Sequence, residues 1–206
     1  MGATGRLGGH VLAEALQRGG WHVKALAREP GRLAAHEGLT VVAGDVRDAE
    51  ALAALAAGAD AVISCLGARR GAGPEEVLPE GMATLVQALA GAPAHLVVVA
   101  VAGLLDAPEG GLRRDAAWYP APFREGSGQH LRAWQVLQAS GLPHTLVCPP
   151  DLVEGDRHQP LQVLRDMLPP GPKRVSMPAL AAWMLDEVAQ PAHAGHRVGI
   201  SNVPEA

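Results

Sequence analysis

Lysine, cysteine and aromatic side chains are scarce in this 206-residue chain, which has two lysines, two cysteines, one tyrosine and one phenylalanine. Each scarcity closes off a class of function. Lys24 and Lys173 are the only lysines, the formal net charge is −4, and both signs are spread along the chain. No basic stripe can follow a phosphate backbone, so nucleic acid is not expected as a partner. No apolar run reaches the length of a membrane span, and no signal peptide is evident, so the expectation is a soluble cytoplasmic protein with no membrane partner. Cys65 and Cys148 each end an apolar run, where a thiol packs as a small hydrophobe rather than forming a disulfide. Tyr119 is followed four residues later by Phe123, so the pair Tyr-x-x-x-Lys, in which the lysine lowers the phenol pKa for protonating an alkoxide, cannot be assembled. Ser64 and Ser127 lack a Gly-x-Ser-x-Gly setting, which argues against a hydrolase. His193 and His196 have no third ligand of suitable type, so no metal site is expected.

What the chain does have is small and turn-forming. Hydrophobic residues make up 48 %, much of it alanine, and the 25 glycines and 17 prolines fall between apolar runs, marking ordered loops rather than disorder. Strand and helix signals alternate. Apolar spacing predicts a helix over 10–18, ended by Gly19-Gly20, then strands over 21–27 and 39–45. Asp48 can cap a helix carrying Leu52 and Leu55. The run "DAVISCLG" at 60–67 reads as a strand buried on both faces. A helix over about 79–90, the strong strand "HLVVVAVAG" at 95–103, a helix over about 126–140 and the strand 144–150 follow. The tail offers "KRVSM", a helix over 178–188 and "HRVGIS". This alternation implies an α/β chain, one domain over 1–206, with a doubly wound, mostly parallel sheet and flanking helices. Ligands bind such sheets beyond the carboxyl ends of the strands, here the loops after residues 27, 45, 66, 102 and 149. The Pro-, Gly- and Trp-rich stretch 104–127 is expected to form a lid or pocket wall.

The opening "MGATGRLGG" places Gly2, Gly5 and Gly8 at Gly-x-x-Gly-x-x-Gly spacing before that first helix. A tight turn of this kind brings backbone close to a pyrophosphate and aims free N–H groups at it. About twenty residues on, where an acid would grip the ribose of NAD, stands Arg28, whose guanidinium can take the 2′-phosphate of NADP. Arg6 and Arg32 are near enough in sequence to assist. Asp45 and Val46 end the next strand and suit an adenine site, and Leu66-Gly67 leaves room for ribose and nicotinamide.

The segments "GATGRLG", "ALAREPGRL", "VVAGDV" and "DAVISCLGAR" resemble the NAD(P)H-binding, NmrA-like branch of the atypical short-chain dehydrogenases. "GARRGAGPEEVLPEG", "GLLDAPEGGLRR", "HLRAWQVLQASGLPHTLVCPPDL" and "GPKRVSM" are similar to its flavin reductase and biliverdin reductase B group. The resemblance implies a Rossmann-like fold and NADPH-dependent hydride transfer to a flavin, a linear tetrapyrrole or a quinone-like conjugated acceptor. By position, Gly2, Thr4, Gly5, Arg6 and Leu7 match the pyrophosphate turn, and Arg28 and Arg32 the 2′-phosphate site. Asp45 and Val46 match the adenine site, Leu66, Gly67 and Arg69 the ribose and nicotinamide stretch, and His130 a histidine on the substrate side, here the candidate catalytic residue. Two departures stand out. Relatives carry hydroxyl residues where this chain has Ala100-Val101-Ala102, and a histidine where it has Asp151. The lost hydroxyls leave open a second reading, a non-catalytic NADP(H)-binding redox sensor acting through a protein partner. The central strand that should lead into the glycine turn is also missing. Either the natural chain starts a few residues upstream, or the sheet closes by slippage or by a strand borrowed from another chain.

Overall fold

The computed structural model describes residues 1–68, 76–92 and 94–204. Arg69, expected beside the ribose, lies outside them. Along the chain come α1 (Arg6–Arg18), β1 (Val23–Ala27), β2 (Leu39–Ala43), α2 (Ala49–Ala56), β3 (Ala61–Ser64), α3 (Val77–Ala88) and β4 (His95–Val99), alternating except between β1 and β2, which a 3-10 turn joins. Then come α4 (Arg124–Ser140), β5 (His144–Cys148), β6 (Asp151–Val153), β7 (Leu161–Arg165), β8 (Arg174–Ser176), α5 (Met177–Ala189) and β9 (Arg197–Asn202).

Local chemistry explains the helix starts. The Asp48 carboxylate accepts from the N–H groups of Glu50 (3.0 Å) and Ala51 (3.2 Å), which caps α2 as its sequence position predicted. Ser176 caps α5 through the Ala179 N–H at 3.4 Å, with Pro178 in the first turn, where a missing N–H costs nothing. The stretch 104–127, expected as a loop, carries two short 3-10 turns, Arg113–Asp115 and Ala121–Phe123, and the start of α4. The Arg124 guanidinium ties it by donating to the carbonyls of Arg114 (3.1 Å), Ala116 (3.0 Å) and Tyr119 (3.3 Å).

All five residues of β4 are buried, and they alternate between two helix layers. Leu96 and Val98 pack with Leu52, Leu85 and Leu137 on the α2, α3 and α4 side, whereas Val97 and Val99 pack with Leu7, Val11, Leu180 and Met184 of α1 and α5. Each such leucine removed from water contributes about 1.5–3 kcal/mol. The main sheet runs β3-β4-β5-β9-β7, parallel except where β7 meets β9. β6 pairs with β8, and β1 with β2, each in parallel.

β1 and β3 are not bonded to one another. Between them stands Met1, whose amine donates to the Ile63 carbonyl (2.7 Å) and whose carbonyl accepts from the Cys65 N–H (3.1 Å). The central strand expected before the glycine turn is thus represented by one residue. Polar contacts along α1 fix the turn from the other side. Arg6, His10, Glu14 and Arg18 recur every four residues on one face. His10 Nε2 lies 3.2 Å from Glu154 Oε2, Glu14 accepts from Arg157 Nε at 2.8 Å, and Arg18 bonds Glu14 (2.7 Å) and Asp186 (2.6 Å).

Candidate functional site

The glycine turn is shaped by the chain's own backbone. Gly2 has φ +79°, and a Cβ there would sit 2.8 Å from the Cys65 carbonyl oxygen. A Cβ on Gly8 would lie 2.0 Å from the Gly2 oxygen. Only glycine at these two positions lets the turn fit between the end of β3 and the first turn of α1. Gly5 takes the N-cap position, yet no side chain caps the helix and no acid sits in its first turn. The leading N–H groups of α1 therefore have no intrahelical acceptors, and the positive end of the helix dipole is not neutralised locally.

Beside this turn a cavity of about 180 Å³ opens at the carboxyl ends of β1, β2 and β3. It is lined by Gly2, Thr4, Arg28, Asp45, Val46, Leu66 and Gly67, seven residues selected from sequence alone. The loops after β1, β2 and β3 meet there; those after residues 102 and 149 do not enter its lining. Leu26, Ala27 and Gly44 also line it, as do Arg47, Val77 and Gln129, which were not anticipated. Arg47 was the most accessible of these to reasoning, because a cation two residues past an aspartate at a strand end can fold back on it. Its Nε donates to Asp45 Oδ1 at 2.8 Å, and its backbone N–H to the same oxygen at 3.1 Å. Burial works to raise the Asp45 pKa, but the bonds from Arg47 and the charge of Arg28 outweigh it and hold the carboxyl below its ordinary value. Val46 is buried against α3, where a Cβ on Gly81 would come within 2.8 Å of its side chain. Gly67 differs from Gly2 and Gly8, for a Cβ there would meet nothing within 4 Å.

The other selected residues lie outside that lining. Leu7 is buried in the α1–α5 core, so only its backbone faces the turn's chemistry. The exposed Arg6 side chain leans toward β6, with Nη2 3.4 Å from the Leu152 carbonyl and 3.8 Å from Glu154 Oε1. Arg32 is exposed in the 3-10 turn Pro30–Arg32, just past β1. His130 is buried in α4, one residue from Gln129, and desolvation pushes its pKa down to about 4. Its imidazole is therefore neutral near pH 7. Ala100 is buried at the end of β4, its N–H bonded to the Val147 carbonyl at 2.7 Å, and Asp151 is exposed at the start of β6. Both histidines of the tail are engaged with acids: His193 Nδ1 lies 2.8 Å from buried Glu187, and His196 Nδ1 3.3 Å from Asp166.

The site is a strand-end cavity flanked by an uncapped helix N-terminus, two arginines and a hydrogen-bonded carboxylate. An uncapped helix N-terminus and cations beside a strand-end cavity offer N–H groups and positive charge to an anionic ligand. A profile of the NAD(P)H-binding family matches residues 2–191, and the chain belongs to that family.

Solved structures place the fold among Rossmann-type NAD(P)-binding proteins. A Burkholderia pseudomallei protein provisionally described as exported is 27 % identical, with TM-score 0.81 and 97 % and 96 % of the two chains covered. A Streptococcus pneumoniae protein provisionally described as an NADH-flavin reductase is 22 % identical, with TM-score 0.80 and coverages of 98 % and 96 %. ChuY, an anaerobilin reductase from Escherichia coli O157:H7, is 21 % identical, with TM-score 0.78 and coverages of 100 % and 97 %. Among the described residues no helix is long and apolar enough to cross a membrane.

Proposed function

We propose that the protein is an NADPH-dependent reductase delivering hydride to a flavin, or to a linear tetrapyrrole or quinone-like acceptor of similar conjugation. One observation carries this reading: Gly2, Thr4, Arg28, Asp45, Val46, Leu66 and Gly67 converge on one cavity next to the uncapped end of α1. When bound, NADPH supplies the hydride. The chain's own residues bind and orient. The α1 N–H groups hold the diphosphate, Arg28 selects the 2′-phosphate with Arg32 beside it, and Asp45 and Val46 seat the adenine. Leu66 and Gly67 let the ribose and nicotinamide lie against bare backbone, with Arg69 following them in sequence.

Conjugated acceptors suit a site with few acids. A flavin spreads the incoming charge over its ring system and can collect a proton from water, so the protein needs chiefly to fix donor and acceptor in contact. His130, neutral at physiological pH, enters as a hydrogen-bonding group on the acceptor side rather than as a cationic acid. The same reading puts the protein in the cytoplasm, where NADPH is supplied. A second reading, an NADP(H)-binding sensor that signals through a protein partner, is favoured by Ala100-Val101-Ala102, where no hydroxyl is available. NADPH consumption with free flavin mononucleotide separates the two. Turnover supports the reductase. Tight NADPH binding without turnover on a panel of flavins, quinones and tetrapyrroles supports the sensor.

A further inference from the structure

Tyr119 is the one tyrosine of the chain. It stands in the long stretch between β4 and α4, yet its ring comes back to where β4 ends. A Cβ on Gly103 would lie 2.5 Å from the phenol oxygen, 3.0 Å from Cζ and 3.2 Å from Cε2. Gly103 is buried in the 3-10 turn Ala102–Leu104, and its φ is not positive. What glycine supplies there is room, and the hydroxyl end of Tyr119 fills it. The backbone around the ring is fastened. The Tyr119 N–H donates to the Ala116 carbonyl (3.1 Å), and its own carbonyl accepts from Arg124 Nη2 (3.3 Å). Next to it, the Trp118 indole N–H donates to Glu109, and the Arg113 guanidinium lies 4.8 Å from the centroid of the Trp118 ring. Tyr119 is half-buried, and among the described residues its hydroxyl has no hydrogen-bond partner. The phenol thus keeps one O–H to donate.

β3 and β4 are neighbours in the sheet. Their continuations, Leu66-Gly67-Ala68 and Val101-Ala102-Gly103, therefore share the rim at the carboxyl ends of the strands, where such sheets take their ligands. α4 closes that rim, for a Cβ on Gly126 would meet the Ala68 Cβ at 3.5 Å. The end of β4 offers no hydroxyl of its own at Ala100-Val101-Ala102. Ser127 of α4 is buried and donates to the Arg124 carbonyl at 3.0 Å. We infer that Tyr119 is the hydrogen-bond donor to the electron acceptor, a hydroxyl carried back to the end of β4 by the stretch 104–127. The inference rests on the reductase reading. Hydride transfer breaks a C–H bond of the nicotinamide ring and forms a new bond to the acceptor, so that NADPH is oxidised and the acceptor is reduced. Negative charge then appears on a conjugated nitrogen or oxygen of the acceptor. The Tyr119 O–H donates to that atom and keeps its proton, while the proton that completes the reduction comes from water. A donor aimed where charge develops binds the transition state more strongly than the ground state, so it raises kcat.

Tyr119→Phe removes the hydroxyl and keeps the ring over Gly103. Because the chain has one tyrosine, fluorotyrosine incorporated during expression marks this site alone, and fluorine NMR reads the surroundings of the phenol. Tyr119→Phe is expected to melt within about 2 °C of its parent. With free flavin mononucleotide it should lose about tenfold or more in kcat, at unchanged NADPH affinity. In the labelled parent, flavin mononucleotide added to the NADP-bound protein should shift the fluorine resonance. If Tyr119→Phe melts lower, the fluorine signal decides: a shift supports the donor, and an unmoved resonance refutes it. A Tyr119→Phe protein with the kcat of its parent overturns the inference and leaves the reductase reading standing. So does a resonance that ignores the flavin in a parent that turns it over. A parent that consumes no NADPH with any flavin, quinone or tetrapyrrole overturns both.

Discussion

Gly8 and Gly9 are neighbours in one helix, and a single methyl added to each should move stability in opposite directions. At Gly8 the new Cβ would lie 2.0 Å from the Gly2 oxygen, 2.6 Å from the Gly2 carbonyl carbon and 3.1 Å from the Ala3 Cα. All three are backbone atoms, so no side chain can swing aside. The turn and α1 must separate, at an overpacking cost of about 3 kcal/mol. Better helix propensity returns about 1 kcal/mol. The net loss of about 2 kcal/mol lowers the melting temperature of a domain this size by about 4–8 °C. At Gly9 the nearest atom is the Ala3 oxygen at 3.8 Å, an ordinary contact. Gly9→Ala should therefore raise the melting temperature by about 2–4 °C through propensity alone. The function should divide along the same line. Gly8→Ala displaces the turn that presents the helix N–H groups, so NADPH affinity falls about tenfold or more, whereas Gly9→Ala leaves it unchanged. Thermal melts and fluorescence titration with NADPH give both quantities. A Gly8→Ala protein that melts at or above its parent and binds NADPH equally well would refute the steric account of the turn.

Arg28→Ala should weaken NADPH far more than NADH; equal losses in parallel titrations would mean that Arg28 does not read the 2′-phosphate. Gly67→Ala should change stability by less than about 0.5 kcal/mol, because its methyl meets no protein atom within 4 Å, yet weaken NADPH about tenfold. Unaltered affinity would show that nothing passes close to that backbone. Bonds from Arg157 chiefly, and from Arg18, outweigh desolvation and hold Glu14 at a pKa of about 2 against an ordinary 4.5. A carboxyl depressed in the fold stabilises it above 4.5 and loses that contribution as pH falls through about 2. Glu14→Gln should thus cost about 2 kcal/mol at pH 7, allowing for the partial exposure of Arg157, and the two melting curves should converge by about pH 2. A gap that stays constant with pH would assign the loss to packing rather than charge.

Alternating apolar runs made the first half of the fold legible. The strands at Val23–Ala27 and Leu39–Ala43 and the buried run His95–Val99 fall where pattern places them, within a few residues. So does the Asp48 cap, which rests on local hydrogen bonding alone. β6 and β7 were not legible. β6 has three residues, too few to establish a period, and β7 is an edge strand whose outer positions include exposed Leu164 and Arg165. The antiparallel return of β7 onto β9 depends on contacts about forty residues apart, which leave no local trace. At the site, residues in turns at strand ends were readable because glycine, arginine and aspartate have few other reasons to cluster there. Gln129 was not, since it lies on a long helix and reaches the cavity only because α4 packs beside α3. Gly8 was selected for closeness to a ligand, but its tightest neighbour is the protein's own Gly2.

Glu154, Arg157 and Asp186 grip α1 along most of its length of about 20 Å. A rod bolted at intervals cannot tilt at its tip alone; it slides or turns with everything fastened to it. An anion seated at the leading end would therefore be felt along residues 152–157 and in α5, far from where it landed. Crosslinking or spectroscopic probes placed at those fastenings should report occupancy of the cavity without touching it.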